Sequence, residues 1–154
     1  MSADRPFTYY LRVRYIECDA QKVVFNSRYA EYVDIGTNEF LRALGVLDQF
    51  VTGDLDFQLV KQTVEWKAPA RFDQVLALSI AAAHLGTTSF TIRTEFRAAG
   101  AGSSDAAPLA TVETVYVLMD GPSLTKRPLP DAIRAAFQDG ARGKTIDHAG
   151  YSHV

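Results

Sequence analysis

Two carboxylates and a thiol stand together at Glu17-Cys18-Asp19, and a short loop later come Asn26 and Ser27, residue types that open helices. A helix start carries unsatisfied backbone N–H groups, which attract negative charge and the oxyanion that develops on an attacked carbonyl. A carboxylate held beside such a start can act as a general base or as a nucleophile. Together they form a minimal set for hydrolysing an activated acyl group. On pattern alone Asp19 reads first as a turn residue, with the catalytic carboxylate as the alternative. Cys18 is a poor nucleophile, because acidic neighbours on both sides raise a thiol pKa.

Other chemistries lack their residues. There is no glycine-rich phosphate loop, no serine nucleophile elbow and no paired-histidine zinc motif. The single cysteine allows neither an internal disulfide nor a cysteine–histidine zinc set. His84 shares a strand face with Leu78 and Ile80 and reads as a core or interface histidine, while His148 and His153 read as solvated residues of the tail. Sixteen basic and 18 acidic side chains give a net charge of −2, which excludes the strongly basic footprint of a nucleic-acid binder. The start, MSADRPFTYY, is polar, and no apolar run approaches the roughly 18 residues of a membrane span, so no membrane partner and a cytoplasmic location are expected.

The elements that must position the acidic loop follow from periodicity. Leu11, Val13 and Tyr15 alternate within a first strand, Tyr9 to Ile16. Tyr29, Tyr32, Val33, Gly36, Phe40, Leu41 and Leu44 recur at three- and four-residue steps, predicting a helix from Arg28 to Leu44. Asn26 and Ser27 would cap its start and Gly45 its end, and Glu31, Asp34 and Glu39 lie off its apolar face. Strands follow around Phe57 to Trp66, with a bulge near Lys61 to Thr63, then Leu76 to Ala82, Phe90 to Phe96 and Leu109 to Met119. Ala98 to Pro108 reads as a flexible hairpin tip, Asp131 to Phe137 as a short helix, and 139–154 as a flexible tail after a single domain spanning 1–138. The class is α+β, a five-stranded antiparallel sheet with one face covered by the long helix, and its uncovered edge predicts a homo-oligomer.

The run RVRYIECDAQKVVFNSRYAEYVDIGTNEFLRALG, Arg12 to Gly45, resembles the amino-terminal signature of hotdog-fold acyl-CoA thioesterases of the 4-hydroxybenzoyl-CoA thioesterase type. The likeness continues in VEWKAPARFDQVLAL, HLGTTSF and TKRPLPDAIRAAF, in the same order along the chain. It implies a hotdog fold, a curved antiparallel sheet wrapped around one long helix, and hydrolysis of an acyl-CoA thioester without a metal or other cofactor. It further implies Asp19 as the catalytic carboxylate, either activating water or attacking directly, and the backbone N–H near Asn26 as the group that polarises the carbonyl. Phe25 and Tyr29 would shape the acyl pocket. The coenzyme would lie in a groove between subunits of a dimer, or of a tetramer, with Lys126 and Arg127, then Arg71, taking its phosphates and Ser89 bonding the pantetheine. Each of those basic residues also reads as a solvated surface charge. Tyr29, Tyr32, Trp66 and Phe90 read by default as core. The chain departs from the family at Lys22, where glycine is usual; if that position has positive φ, the lysine costs about 1 kcal/mol. The alternative reading is a hotdog protein that binds an acyl-CoA or aromatic ligand without turning it over.

Overall fold

The computed structural model describes residues 5–100 and 106–151. Its strands are β1 (Phe7–Arg12), β2 (Leu55–Trp66), β3 (Val75–Leu85), β4 (Ser89–Ala98), β5 (Ala110–Asp120), β6 (Thr125–Lys126) and β7 (Thr145–Asp147). Its helices are α1 (Arg28–Leu44), α2 (Leu47–Val51) and α3 (Asp131–Asp139). The sheet runs β2-β5-β4-β3-β1-β7, with β6 pairing β5. All pairings are antiparallel except β1 with β7. Of the hairpin tip expected at Ala98 to Pro108, residues 101–105 lie outside the described residues, as does His153.

Helix α1 has the predicted bounds, and its apolar stripe packs into the concave face of the sheet. Tyr29, Tyr32, Val33, Phe40 and Leu41 from the helix meet Leu76, Leu78, Ile80, Phe90, Ile92 and Phe96 from β3 and β4 in one buried cluster. Each such side chain contributes roughly 1.5–3 kcal/mol of transfer free energy. Gly36 lets helix and sheet approach: a Cβ there would lie 2.9 Å from Ile80 Cδ1 and 3.3 Å from Leu78 Cδ2. Gly45 closes the helix in the left-handed region (φ 78°), as its position implied. Ser27, by contrast, takes helical dihedrals and makes no side-chain cap bond, so the expected cap is absent. Glu39 also departs from expectation: it is buried on the helix flank, where Arg42 Nε donates to it at 3.0 Å.

Four strand details differ from the periodic reading, each for a physical reason. The first strand leaves the sheet at Arg12 and turns into a 3-10 helix at Tyr15–Glu17, which leaves Tyr15 exposed. The bulge of β2 sits at Val60, between Leu59 and Lys61, and restores the phase that puts Gln62 and Val64 on the same face as Leu55 and Phe57. A second register shift, between Ala82 and His84, turns His84 out of the face it was expected to share with Ile80, and its side chain is exposed. Finally, residues after Asp139 supply β7. Thr145, Ile146 and Asp147 pair with Thr8, Tyr9 and Tyr10, and Tyr9 and His148 share a 2.9 Å hydrogen bond.

Candidate active site

The acidic loop hangs between the end of β1 and the start of α1, and backbone bonds close it at several points. Cys18 and Val24 form a bridge, and Val23 bridges Arg71 in the segment ahead of β3. Asp19 N–H donates to Val23 O at 3.0 Å and Lys22 N–H to Asp19 O at 2.9 Å, a tight turn across the tip. Val24 N–H donates to Ala70 O at 2.8 Å and Phe72 N–H to Lys22 O at 3.0 Å, which lash the loop to that neighbouring segment. Lys22 has φ 63°, the left-handed conformation that favours glycine.

Asp19 is exposed at this tip, and its Oδ1 accepts Gln21 N–H at 2.8 Å. Asn26 lies exposed immediately before α1, and its carbonyl accepts Tyr29 N–H at 3.4 Å. Among the described residues, the backbone N–H groups of Asn26 and Ser27, both exposed residues, donate to no acceptor, so these donors remain available just ahead of the helix. The Cys18 thiol is pushed up by burial and then by the charges of Glu17 and Asp19, in the direction expected of a poor nucleophile.

Around the loop, Tyr15, Ile16, Phe25, Trp66 and Phe72 all stay exposed by 43% or more. Exposed apolar side chains gathered near one loop make this region a candidate for an apolar contact. Tyr29 is the wall behind it. The ring is buried, with Trp66 6.4 Å away edge-on and Phe96 at 5.3 Å. Burial raises the Tyr29 phenol pKa, and a hydrogen bond from the Ala70 backbone offsets part of that rise.

The remaining expected site residues separate into two places. Arg71 is beside Val23, at the acidic loop itself. Ser89, Lys126 and Arg127 gather at the opposite end of the sheet, where Leu118 N–H donates to Thr88 O and Arg127 N–H to Leu118 O. Arg127 is also paired with Asp120 at 3.5 Å. Phe96, at the Tyr29 end of β4, stands seven residues from Ser89, roughly 23 Å along an extended strand. One protomer does not bring Asp19 together with Ser89, Lys126 and Arg127.

Glu17, the other carboxylate of the acidic loop, is 3% exposed and the most heavily bonded side chain near it. It accepts Arg14 N–H at 2.8 Å, Arg14 Nε at 2.8 Å and the Tyr32 hydroxyl at 2.7 Å. The three-residue spacing of Arg14 and Glu17 was the available signal. Among the described residues no group of three or more histidine, cysteine, aspartate or glutamate side chains is placed to hold a metal, and no helix is long and apolar enough to cross a membrane.

The profile of the thioesterase-like superfamily matches residues 13–137, which covers the acidic loop, α1, the sheet from β2 to β6 and most of α3. The acyl-CoA thioester hydrolase YbgC of Escherichia coli O157:H7 is 28% identical over 133 residues, covering 86% of this chain and 96% of that protein. Among solved structures, a 1,4-dihydroxy-2-naphthoyl-CoA thioesterase from Synechocystis superposes with a TM-score of 0.74 at 23% identity, covering 86% of this chain and 96% of its own. The BH1999 gentisyl-coenzyme A thioesterase superposes at 0.73 with 24% identity, covering 84% and 98%. At these identities the superpositions speak to the fold, while the profile match speaks to the family. The chain belongs to the thioesterase-like superfamily and is a thioesterase of the hotdog fold.

Proposed function

We propose that the chain hydrolyses an acyl-CoA thioester to the free acid and CoA, with Asp19 as the catalytic carboxylate. The observation that carries this is an exposed carboxylate on a closed loop that leads into a helix start where the N–H groups of Asn26 and Ser27 have no acceptor. In the reaction the thioester oxygen accepts the Asn26 N–H, which stabilises the charge that builds on it. As a base, Asp19 takes a proton from water whose oxygen bonds to the acyl carbon as the C–S bond breaks, and passes that proton to the departing sulfur. As a nucleophile, it forms a mixed anhydride as the thiolate leaves, and water then cleaves the anhydride, freeing the acid and Asp19 and supplying the proton for the sulfur. Phe25, Tyr29 and Trp66 border the space for the acyl group.

The separation of Asp19 from Ser89, Lys126 and Arg127 supports a site built from two copies. Strand β2 is an edge strand, paired only with β5 among the described strands. Its Leu55–Phe57 end adjoins Leu118, hence the Ser89–Arg127 corner, and its Trp66 end adjoins Tyr29 and the acidic loop. Antiparallel pairing of two β2 edges therefore carries the basic corner of one copy towards the Asp19 of the other. Arg71 joins that groove from the Asp19 side.

The test is thiol release from acetyl-, decanoyl- and benzoyl-CoA by the wild-type protein and by Asp19→Asn. Turnover of at least one substrate that Asp19→Asn lowers by about a hundredfold or more is expected. Binding of CoA esters with no release from any of them would establish the ligand-binding alternative instead. Full activity in Asp19→Asn would remove Asp19 from the mechanism.

A further inference from the structure

The loop that carries Asp19 contains no buried side chain of its own at the tip; its fixed point lies two residues earlier. Glu17 is buried with its carboxylate bonded from two directions, by Arg14 at the end of the β1 segment and by Tyr32 in the second turn of α1. Its backbone is engaged as well. Glu17 N–H donates to Arg14 O at 3.0 Å, and Glu17 O accepts Phe25 N–H at 3.0 Å, one residue before Asn26. One residue thus holds the approach to the loop, the exit from the loop and the body of the helix.

Resting on the reading of Asp19 and the Asn26 N–H given above, we propose that Glu17 is a positioning residue: it fixes the span between the carboxylate and the helix start. The two groups must address one carbonyl, and the span between them is bridged by exposed residues 20–22 and by Val23 to Phe25. Of the side chains in that stretch, Val24 alone is buried, and its bonding to Ala70 sets the loop against the neighbouring segment rather than against α1. The Phe25 N–H bond to Glu17 O is what returns the chain to the helix. The Tyr32 bond to the Glu17 carboxylate then sets how far Glu17, and with it Asp19, stands from the helix axis. Errors of about 1 Å in such a geometry cost up to a hundredfold in rate without preventing binding.

A carboxylate kept only for stability would move different quantities. Steady-state kinetics on the best acyl-CoA of the panel above would be compared for wild type, Tyr32→Phe, Glu17→Gln, the double variant and Asp19→Asn, with the folded fraction followed by circular dichroism at the assay temperature. Tyr32→Phe removes one hydrogen bond and only the hydroxyl oxygen from the core. It is expected to lower kcat by about tenfold with KM changed less than about twofold. The double variant should fall no further than Glu17→Gln alone, because both act through one contact. Unchanged kcat per folded molecule in Tyr32→Phe, beside an inactive Asp19→Asn, would overturn the positioning role and leave the function intact. An active Asp19→Asn would overturn the function and the positioning role together, so the two failures are distinct.

Discussion

The Tyr32 hydroxyl donates to the Glu17 carboxylate at 2.7 Å, joining the second turn of α1 to the 3-10 helix that precedes Asp19. Burial by itself pushes the Glu17 pKa up, but hydrogen bonds from Arg14 and Tyr32 and the Arg14 charge outweigh it and hold the carboxyl below its ordinary 4.5. A carboxylate depressed in the folded state adds stability that is complete above its unfolded value and is lost as pH falls through its folded value. Glu17→Gln should therefore lower stability by about 2 kcal/mol at neutral pH. That difference should shrink steadily below about pH 4.5, which urea midpoints at about pH 7 and pH 3 would read. A gap independent of pH would mean that the ionised form has no special place in the fold.

Lys22 occupies a left-handed position (φ 63°) whose carbonyl accepts Phe72 N–H, so the conformation is held by the fold and the lysine bears the strain. Lys22→Gly is expected to raise stability by about 1 kcal/mol, seen as a higher thermal midpoint. Lys22→Val should lower it by at least that amount, since a branched Cβ suits this region least. The two variants moving in the same direction would show that φ is not what matters there.

Much of this arrangement was legible because α1 is long and its stripe is strongly apolar. Arg28–Leu44 follows from the three- and four-residue recurrence of Tyr29 to Leu44. The Asp19 loop was legible from residue type and from the family likeness, and Lys22 at a glycine position pointed to the positive φ. What failed were phases interrupted by single residues. Alternation from Leu11 to Tyr15 gave no sign that the chain leaves the sheet after Arg12, and the shift beside His84 is invisible to a period-two pattern. Glu17 was missed because its partner Tyr32 is 15 residues away and already explained as core. Strand β7 is three residues long, and its pairing with β1 depends on a contact across nearly the whole chain.

Gly36 sits where α1 crosses β3, and an added Cβ would lie 2.9 Å from Ile80 Cδ1. That atom is the end of a side chain and can yield to a single methyl, and alanine also gains helix propensity, so Gly36→Ala should be close to neutral. Gly36→Val adds two further carbons against a closed core and is expected to cost about 1–3 kcal/mol. Denaturant midpoints would separate the two. Equal destabilisation by alanine and valine would mean that the backbone, rather than the side-chain space, requires glycine.

Among the described residues strand β2 pairs only with β5, which leaves its 12 residues as a sheet edge with Leu59 and Val60 about half exposed on it. An edge of this length invites pairing with another chain, and Leu59 and Val60 put two apolar side chains at its middle, beside the exposed Lys61. Self-pairing across that middle is antiparallel by symmetry, and it places the Leu55 end of one copy against the Trp66 end of the other. The wild-type protein is thus expected to sediment as a dimer or a tetramer at micromolar concentration. Replacing Leu59 and Val60 together by lysine puts two charges per copy at the centre of the contact, and β2 can still pair with β5 on its other side. The variant should sediment as a folded monomer and lose thioesterase activity, with KM rising at least tenfold because Lys126 and Arg127 no longer reach the partner's groove. A wild-type monomer with full activity would show that one copy suffices, and Ser89, Lys126 and Arg127 would then have no part in holding the coenzyme.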